Sequence, residues 1–416
     1  METLELGYGE SSVRIEPREF EIVGSDKDLA ALSDQELGER LENPVGGAQI
    51  EDIVREGGTV LLVVPDATRS SAAGQVVNLL IRRLIAAGIL PHEINAIFAT
   101  GIHRPVTEAE KELILTPFVA QRTPVLEHRP RDLMGLVALG ETSGGIRVEL
   151  NRAVVNYDHV ITVGAVGYHY FAGFTGGRKL ICPGLASTRT ISKTHELAFD
   201  RERLERAEGV GPGKLEGNPV HEAFVEAVSF APPAFSVNTI VDRQGAAADL
   251  VCGDWRKSHE AACERFSEAH TVVLKGKKDL VIVSCGGAPH DINLIQAHKA
   301  LEAASNACIE GGTIVLVAKC ADGTGRADFL DWFEAGSSRA LAERLAENYK
   351  VNGQTAWSLL SKTERFNVQI VTELPEETIS KTGMRKIDPQ EVGRIASTKG
   401  GYLMPFGARY LPVIKE

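Results

Sequence analysis

A chain of 416 residues is longer than one domain usually runs, so two domains are expected. Its 43% hydrophobic and 24% charged residues fit a globular fold with a sizeable core. A formal net charge of −11 disfavours a nucleic-acid partner, which needs a basic surface, but leaves room for a small anionic substrate held by local basic groups.

The opening METLELGYGESSVRIEPREF has neither the basic nor the apolar region of a signal peptide, and no apolar run is long enough to span a bilayer. A cytoplasmic protein without a membrane partner is expected. Cys182, Cys252, Cys263, Cys285, Cys308 and Cys320 are scattered and form no C-x-x-C pair. That spacing opposes a disulfide framework or structural zinc and suits small buried hydrophobes in a reducing compartment.

TVLLVVPDATR, residues 59–69, reads as a buried strand running into a polar loop. Asp66 and Arg69 come directly after the strand. An arginine there is placed to take a carboxylate or phosphate through paired N–H donors, or else to form an ion pair that pins the loop. GQVVNLLIRRLIAAGIL, with apolar residues at helical spacing, ends in Gly88. INAIFATGIHR is a second strand that leaves His103 and Arg104 beyond Gly101. The β-α-β order implies a parallel sheet with covering helices. The Thr107 to Glu110 spacing matches a capping box, so a helix starts there.

DHVITVGAVG is a third buried strand, and it leads into YHYFAGFTGGRKLICPGLASTRTISKTH, residues 168–195. Polar groups on a glycine-rich loop past a strand end are typical of ligand sites in α/β proteins. The glycines let the backbone approach a ligand and offer N–H groups to anions. Lys179 can pair with phosphate or bond covalently to a carbonyl-type group. The histidines can carry protons or bind metal. His103 and His169 arrive from two strands at one sheet edge, where two bases suit proton transfer on opposite sides of a carbon.

GVGPGKLEGNP, residues 209–219, is loop-like between helices of one domain. The polar LKGKKD precedes the strand DLVIVSCGG, which places a boundary near Lys275 to Lys278 and gives domains of residues 1–275 and 276–416. TIVLVAKC is a further buried strand. In Ser284 to Leu301 a strand and a Gly286-Gly287 turn lead to a helix opening near Asp291. Leu294, Ala297 and Leu301 form its buried stripe. Gln296 and Lys299 share another face, suited either to a substrate carboxylate or to plain solvation. His290 and His298 are expected at the surface. P-loop, H-E-x-x-H and G-x-S-x-G motifs are missing from the chain, and the GFTGGRK spacing is not a dinucleotide fingerprint. The fold expected is α/β, with two domains of mainly parallel sheets covered by helices and an active site in the interdomain cleft.

Taken together, DATR at 66–69, GIHR at 101–104, H-x3-GF-x-GG-x-K from His169 to Lys179, Pro183-Gly184, His195 and Q-x-x-K from Gln296 to Lys299 resemble the nickel-pincer-dependent lactate racemase family over most of the chain. The resemblance implies an isomerase that racemises or epimerises a 2-hydroxy acid. Its cofactor would be a nickel-bound pyridinium mononucleotide with two sulfur donors, made by dedicated biosynthesis proteins. It implies that Lys179 attaches to the cofactor's thioacid group and that His195 completes the nickel's donor set. It further implies that Asp66, Ala67, Thr68 and Arg69 hold the cofactor, and that Arg69, Gln296 and Lys299 contact substrate. His103 and His169 would be the paired acid/bases for hydride transfer to and from the pyridinium ring.

Departures touch the pocket. Ile295 stands where the family's lactate enzymes have tyrosine, Tyr168 and Tyr170 flank His169, and Trp357 is either a pocket wall or core. Two other classes fit parts of the pattern. One is a lysine enzyme using Lys179 in a Schiff base with a keto acid, and the other is a non-catalytic carrier of the nickel nucleotide.

Overall fold

The computed structural model describes residues 3–24 and 29–415. Two compact units form, Asp28–Leu197 with Gly209–Ser267, and Met1–Lys27 with Ala198–Glu208 and Glu268–Glu416. Each is built on a six-stranded sheet. In chain order the sheet strands are β1 (Phe20–Ile22), β2 (Val60–Pro65), β3 (Ile94–Ala99), β4 (Val125–Leu126), β5 (His159–Ala165), β6 (Phe235–Val241), β7 (Ala247–Gly253), β8 (Lys278–Ser284), β9 (Cys308–Val317), β10 (Asn367–Val371), β11 (Arg385–Lys386) and β12 (Gly401–Met404). The helices that matter below are α1 (Ala73–Ala86), α2 (Thr188–Glu196), α3 (Pro219–Ser229), α4 (Lys257–His270), α5 (Leu294–Ala307) and α6 (Val351–Arg365).

The first unit's sheet runs β7-β6-β5-β2-β3-β4, parallel except for the β6–β7 pair. Every residue of β2 is buried, as a strand covered on both faces requires. Helix α1 connects β2 to β3 and buries Val76, Val77, Leu80 and Leu84. The capping box forms as the spacing indicates, with Thr107 Oγ1 accepting from Glu110 N at 3.3 Å and Glu110 Oε2 accepting from Thr107 N at 2.9 Å.

The second unit's sheet runs β11-β10-β9-β8-β12-β1 and is parallel throughout. The division of the chain therefore differs from a single cut near 275. Strand β1 adds to β12, with Phe20 opposite Gly401, because the sheet edge offers it a ladder. Residues Ala198–Glu208 also belong here, although α2 and α3 on either side lie in the first unit. Phe199 meets the Trp357 ring edge-on at 5.2 Å, and Arg206 Nη2 lies 2.7 Å from Glu302 Oε1.

Helix α5 opens at Leu294 and not near Asp291. Asn293 caps it, and Asp291 is engaged elsewhere, its Oδ2 accepting from Gly9 N at 2.7 Å and Lys319 N at 3.0 Å. Leu294, Ala297 and Leu301 are buried as expected. His290 is exposed, but His298 is fully buried, contrary to the surface position expected of it. It faces the interior because α6 supplies Ser358 Oγ at 3.1 Å from its Nε2. Burial and the Lys362 ammonium push its pKa down to about 3. All six cysteines are buried free thiols. Among the described residues no helix is long and apolar enough to cross a membrane.

Glu302 is a buried carboxylate of this unit, with Lys362 Nζ at 2.5 Å and Arg206 on its other side. Burial opposes its ionisation, but those two cations hold it well below the carboxylate range. Lys362→Met strips one cation from a buried carboxylate and is expected to cost about 3 kcal/mol of stability in urea denaturation. Arg339→Met breaks only the exposed pair with Glu343 at 3.3 Å and should leave the midpoint unmoved.

Candidate functional site

Strands β5, β2 and β3 lie side by side and parallel, so the loops after them leave the same edge. The chain passes from β2 to β3 on one side, while β5 and β6 lie on the other. Ligand sites of parallel sheets form at such a switch point. The DATR loop comes after β2, the GIHR loop after β3, and the glycine loop after β5.

The first two loops are joined by one bond: His103 Nδ1–H donates to Asp66 Oδ2 at 2.6 Å. Thr68 donates twice to Asp66 Oδ1, from N at 3.0 Å and Oγ1 at 2.6 Å. Burial works against the Asp66 charge. The His103 ring outweighs it, aided by Thr68 and the Arg69 guanidinium, and holds the carboxyl well below its usual range. With its Nδ1 proton pinned to a carboxylate, neutral His103 presents the Nε2 lone pair. Ala67, Thr68 and Arg69 are half-buried, and desolvation lowers the Arg69 pKa.

In the glycine loop, two glycines are needed for chain-to-chain contact. A Cβ on Gly173 would lie 2.1 Å from the Lys214 carbonyl oxygen, and one on Gly177 would lie 2.4 Å from His259 Cδ2. Both also have positive φ, at 78° and 49°. Arg178 turns inward. Its Nη2 donates to the Ala172 carbonyl at 2.6 Å and its Nη1 to the Phe174 carbonyl at 2.9 Å.

His169 is buried, and its Nδ1 accepts from Ala172 N at 3.3 Å and Phe171 N at 3.5 Å. The neutral ring therefore carries its proton on Nε2, the opposite tautomer to His103. Phe171 is the shared wall of this region. Its ring meets His169 at 4.4 Å and His195 at 5.0 Å, both edge-on, and Lys179 Nζ stands 5.3 Å from its centroid. Phe224 of α3 forms a second wall, 5.2 Å from Lys179 Nζ and 5.5 Å from the His195 ring.

His195 lies in the last turn of α2, where Ile191's carbonyl accepts from its Nδ1–H at 2.8 Å. Burial and the nearby Lys179 ammonium push its pKa down to about 3. The imidazole is thus neutral, with the Nε2 lone pair presented, which is the form a metal ligand needs. Among the described residues no three His, Cys, Asp or Glu side chains are grouped to hold a metal.

The first unit thus gathers Asp66, Ala67, Thr68, Arg69, His103, His169, Lys179 and His195. Gln296 and Lys299 belong to the second unit on α5, where Lys299 Nζ donates to Gln296 Oε1. Ile295 and Trp357 pack against that unit's core. Tyr168 packs edge-on against Phe266 at 5.1 Å, whereas Tyr170 stacks on His169 at 5.4 Å. Phe171, Phe224 and Asn218 were not apparent from sequence. Asn218 before Pro219 does carry a helix-start signal. Phe224 is one apolar helix residue among many, with nothing to mark it.

Two family models match this chain, the lactate racemase N-terminal domain over residues 6–206 and the lactate racemase C-terminal domain over residues 273–391. A lactate racemase of Thermoanaerobacterium thermosaccharolyticum is 30% identical over 340 residues, covering 80% of this chain and 78% of its own length. The chain belongs to the lactate racemase family. Another lactate racemase, of Lactiplantibacillus plantarum, is 32% identical over 300 residues, 72% of this chain and 69% of its own. The solved lactate racemase apoprotein from Thermoanaerobacterium thermosaccharolyticum matches with a TM-score of 0.85 and 26% identity over the whole of both chains. A protein from Thermotoga maritima, with a TM-score of 0.74 over 94% of this chain and 19% identity, shares the fold. Membership makes this lactate racemase family protein an isomerase.

Because Asp66 has a lowered pKa when folded, its ionisation stabilises the protein above the unfolded carboxyl value near ~4 and is lost as pH falls below it. Asp66→Asn should therefore flatten the fall in denaturation midpoint on acidification below about pH 4. An acid limb as steep as the parent's would contradict the Asp66–His103 pairing.

Proposed function

We propose that this protein interconverts the two configurations of a 2-hydroxy carboxylic acid, using a nickel-pincer nucleotide and the histidine pair His103 and His169. Lactate, the substrate in its relatives' names, is the first to test. The observation that carries the reading is the pair of opposed tautomers, His103 backed by Asp66 and His169 held by backbone N–H groups.

The residues fit the cofactor. His195 offers a neutral imidazole nitrogen of the kind Ni(II) accepts, and Lys179 stands beside it to hold an acidic group by charge or by an amide bond. Ala67, Thr68 and Arg69 line the neighbouring loop. When bound, the nickel-pincer nucleotide supplies a hydride acceptor, so the weakly acidic α-hydrogen need not leave as a proton.

The chain's own residues manage the proton and the charge. His103 Nε2 takes the substrate hydroxyl proton, and the Asp66 carboxylate stabilises the imidazolium that forms. On return, His169 Nε2–H protonates the substrate oxygen from the other side, and the proton held on His103 Nε2 passes through solvent to restore His169, so the pair takes up one proton and gives back one. The reverse direction runs the same transfers backwards. Arg69, half-buried and desolvated, takes the substrate carboxylate through paired N–H groups. Gln296 and Lys299 add anion contacts. Proteins that build the cofactor are the partners this implies. The six free thiols suit a reducing cytoplasm.

Protein made in a host that synthesises the cofactor tests this. Native mass spectrometry should show an added mass with nickel's isotope pattern, and chiral chromatography should show lactate racemising. His103→Ala and His169→Ala should each lower turnover at least ~100-fold with nickel retained, while His195→Ala should lose nickel. Full activity in either acid/base variant would sink the two-histidine assignment. Nickel-free protein that borohydride traps with a keto acid at Lys179 would point to Schiff-base chemistry instead.

A further inference from the structure

One peptide unit in the His169 loop is engaged at both polar ends. The Phe171–Ala172 peptide directs its N–H at His169 Nδ1, 3.3 Å away, while its carbonyl accepts from Asn218 Nδ2 at 2.9 Å. The next carbonyl along, of Ala172, takes Arg178 Nη2 at 2.6 Å.

Both holders are themselves fixed. Asn218 is fully buried; its amide also donates to the Lys214 carbonyl at 3.1 Å, and its Oδ1 accepts from Val220 N at 3.1 Å and His221 N at 3.3 Å. Arg178 is 2% exposed, with Nη1 shared between the Phe174 carbonyl and His259 Nε2 at 3.1 Å.

At 3.3 Å the bond to His169 is long for a hydrogen bond. A small rotation of the peptide would end it and release the ring to its other tautomer. Donation into the carbonyl of the same peptide also polarises its N–H and strengthens the bond. We propose that Asn218 and Arg178 are positioning residues for His169. Together they hold the Phe171–Ala172 peptide so that its N–H faces Nδ1, and this keeps the neutral ring's proton on Nε2. The effect on the ring stands on these contacts, and its effect on turnover rests on the racemase reading above.

Two conservative variants separate positioning from packing. Asn218→Asp keeps the oxygen that caps α3 but loses both amide donors. Arg178→Lys keeps a cation but loses the fork that spans two carbonyls. The test is long-range 1H–15N correlation on the full chain with 15N-labelled histidines, above the ordinary histidine titration range, with His169 assigned by a His169→Gln variant. The parent should show His169 protonated on Nε2. Each variant should lose that signature in favour of a mixed or Nδ1–H ring, while His195, held by the Ile191 carbonyl, stays unchanged. In cofactor-loaded protein, kcat for lactate should fall about tenfold with little change in KM.

A parent with its proton on Nδ1 overturns the proposal. So does an unchanged His169 signature in either variant that melts like the parent, and either variant suffices should the other fail to fold. A changed tautomer with unchanged kcat would leave the clamp standing and remove His169 from the acid/base pair.

Discussion

Three neighbouring parallel strands, β5, β2 and β3, set almost everything at this site. A parallel ladder points all carboxyl ends one way, so loops that are distant in sequence must meet at one edge. Pro65 pairs with Ala99 at the end of the β2–β3 ladder, which brings Asp66 and His103 within one hydrogen bond of each other. The strands can be continuous apolar runs because helices cover them, and so all the polar chemistry is displaced into the loops. Rigidity comes from the sheet and reactivity from the loops at its carboxyl edge.

The histidines show how one residue type acquires different tasks from its surroundings. His195 is enclosed by Phe171 and Phe224 near a lysine ammonium, so it stays neutral and suited to a metal. His103 has a buried carboxylate behind it, which holds a proton on Nδ1 and leaves Nε2 as the open nitrogen. His169 has backbone donors behind it, which place the neutral ring's proton on Nε2. His298 uses none of this; it is a packed core group beside Ser358. Histidines at matching sequence offsets would look alike, and only the neighbour at the second ring nitrogen tells them apart.

Much of the fold was legible because buried parallel strands are continuous apolar runs, and β2, β3, β5, β8 and β9 all announce themselves that way. What escaped depends on contacts made at long range. Strand β1 is three residues, and only its pairing with β12, Phe20 opposite Gly401, places it in the second unit's sheet. His298 departs from its expected surface position because its helix has apolar groups around more of its circumference than the Leu294 stripe alone indicates. The candidate site residues were legible as motifs. Their second neighbours, Asn218 and His259, were not, since each reaches the loop from a separate helix or cap that no motif marks.

Phe171 limits how finely the site can be divided into separate contributions. One ring touches His169 and His195 and stands under Lys179, while its own backbone N–H and carbonyl face His169 and Asn218. Groups that share a partner do not contribute additively. Trimming that ring would loosen His169, His195 and Lys179 together, so the loss would exceed that of any one contact. A polar residue at position 171 would be worse than a small one, because it would bring water to an imidazole that burial keeps neutral. The aromatic run around His169 is thus part of the electrostatics of the site as much as of its packing.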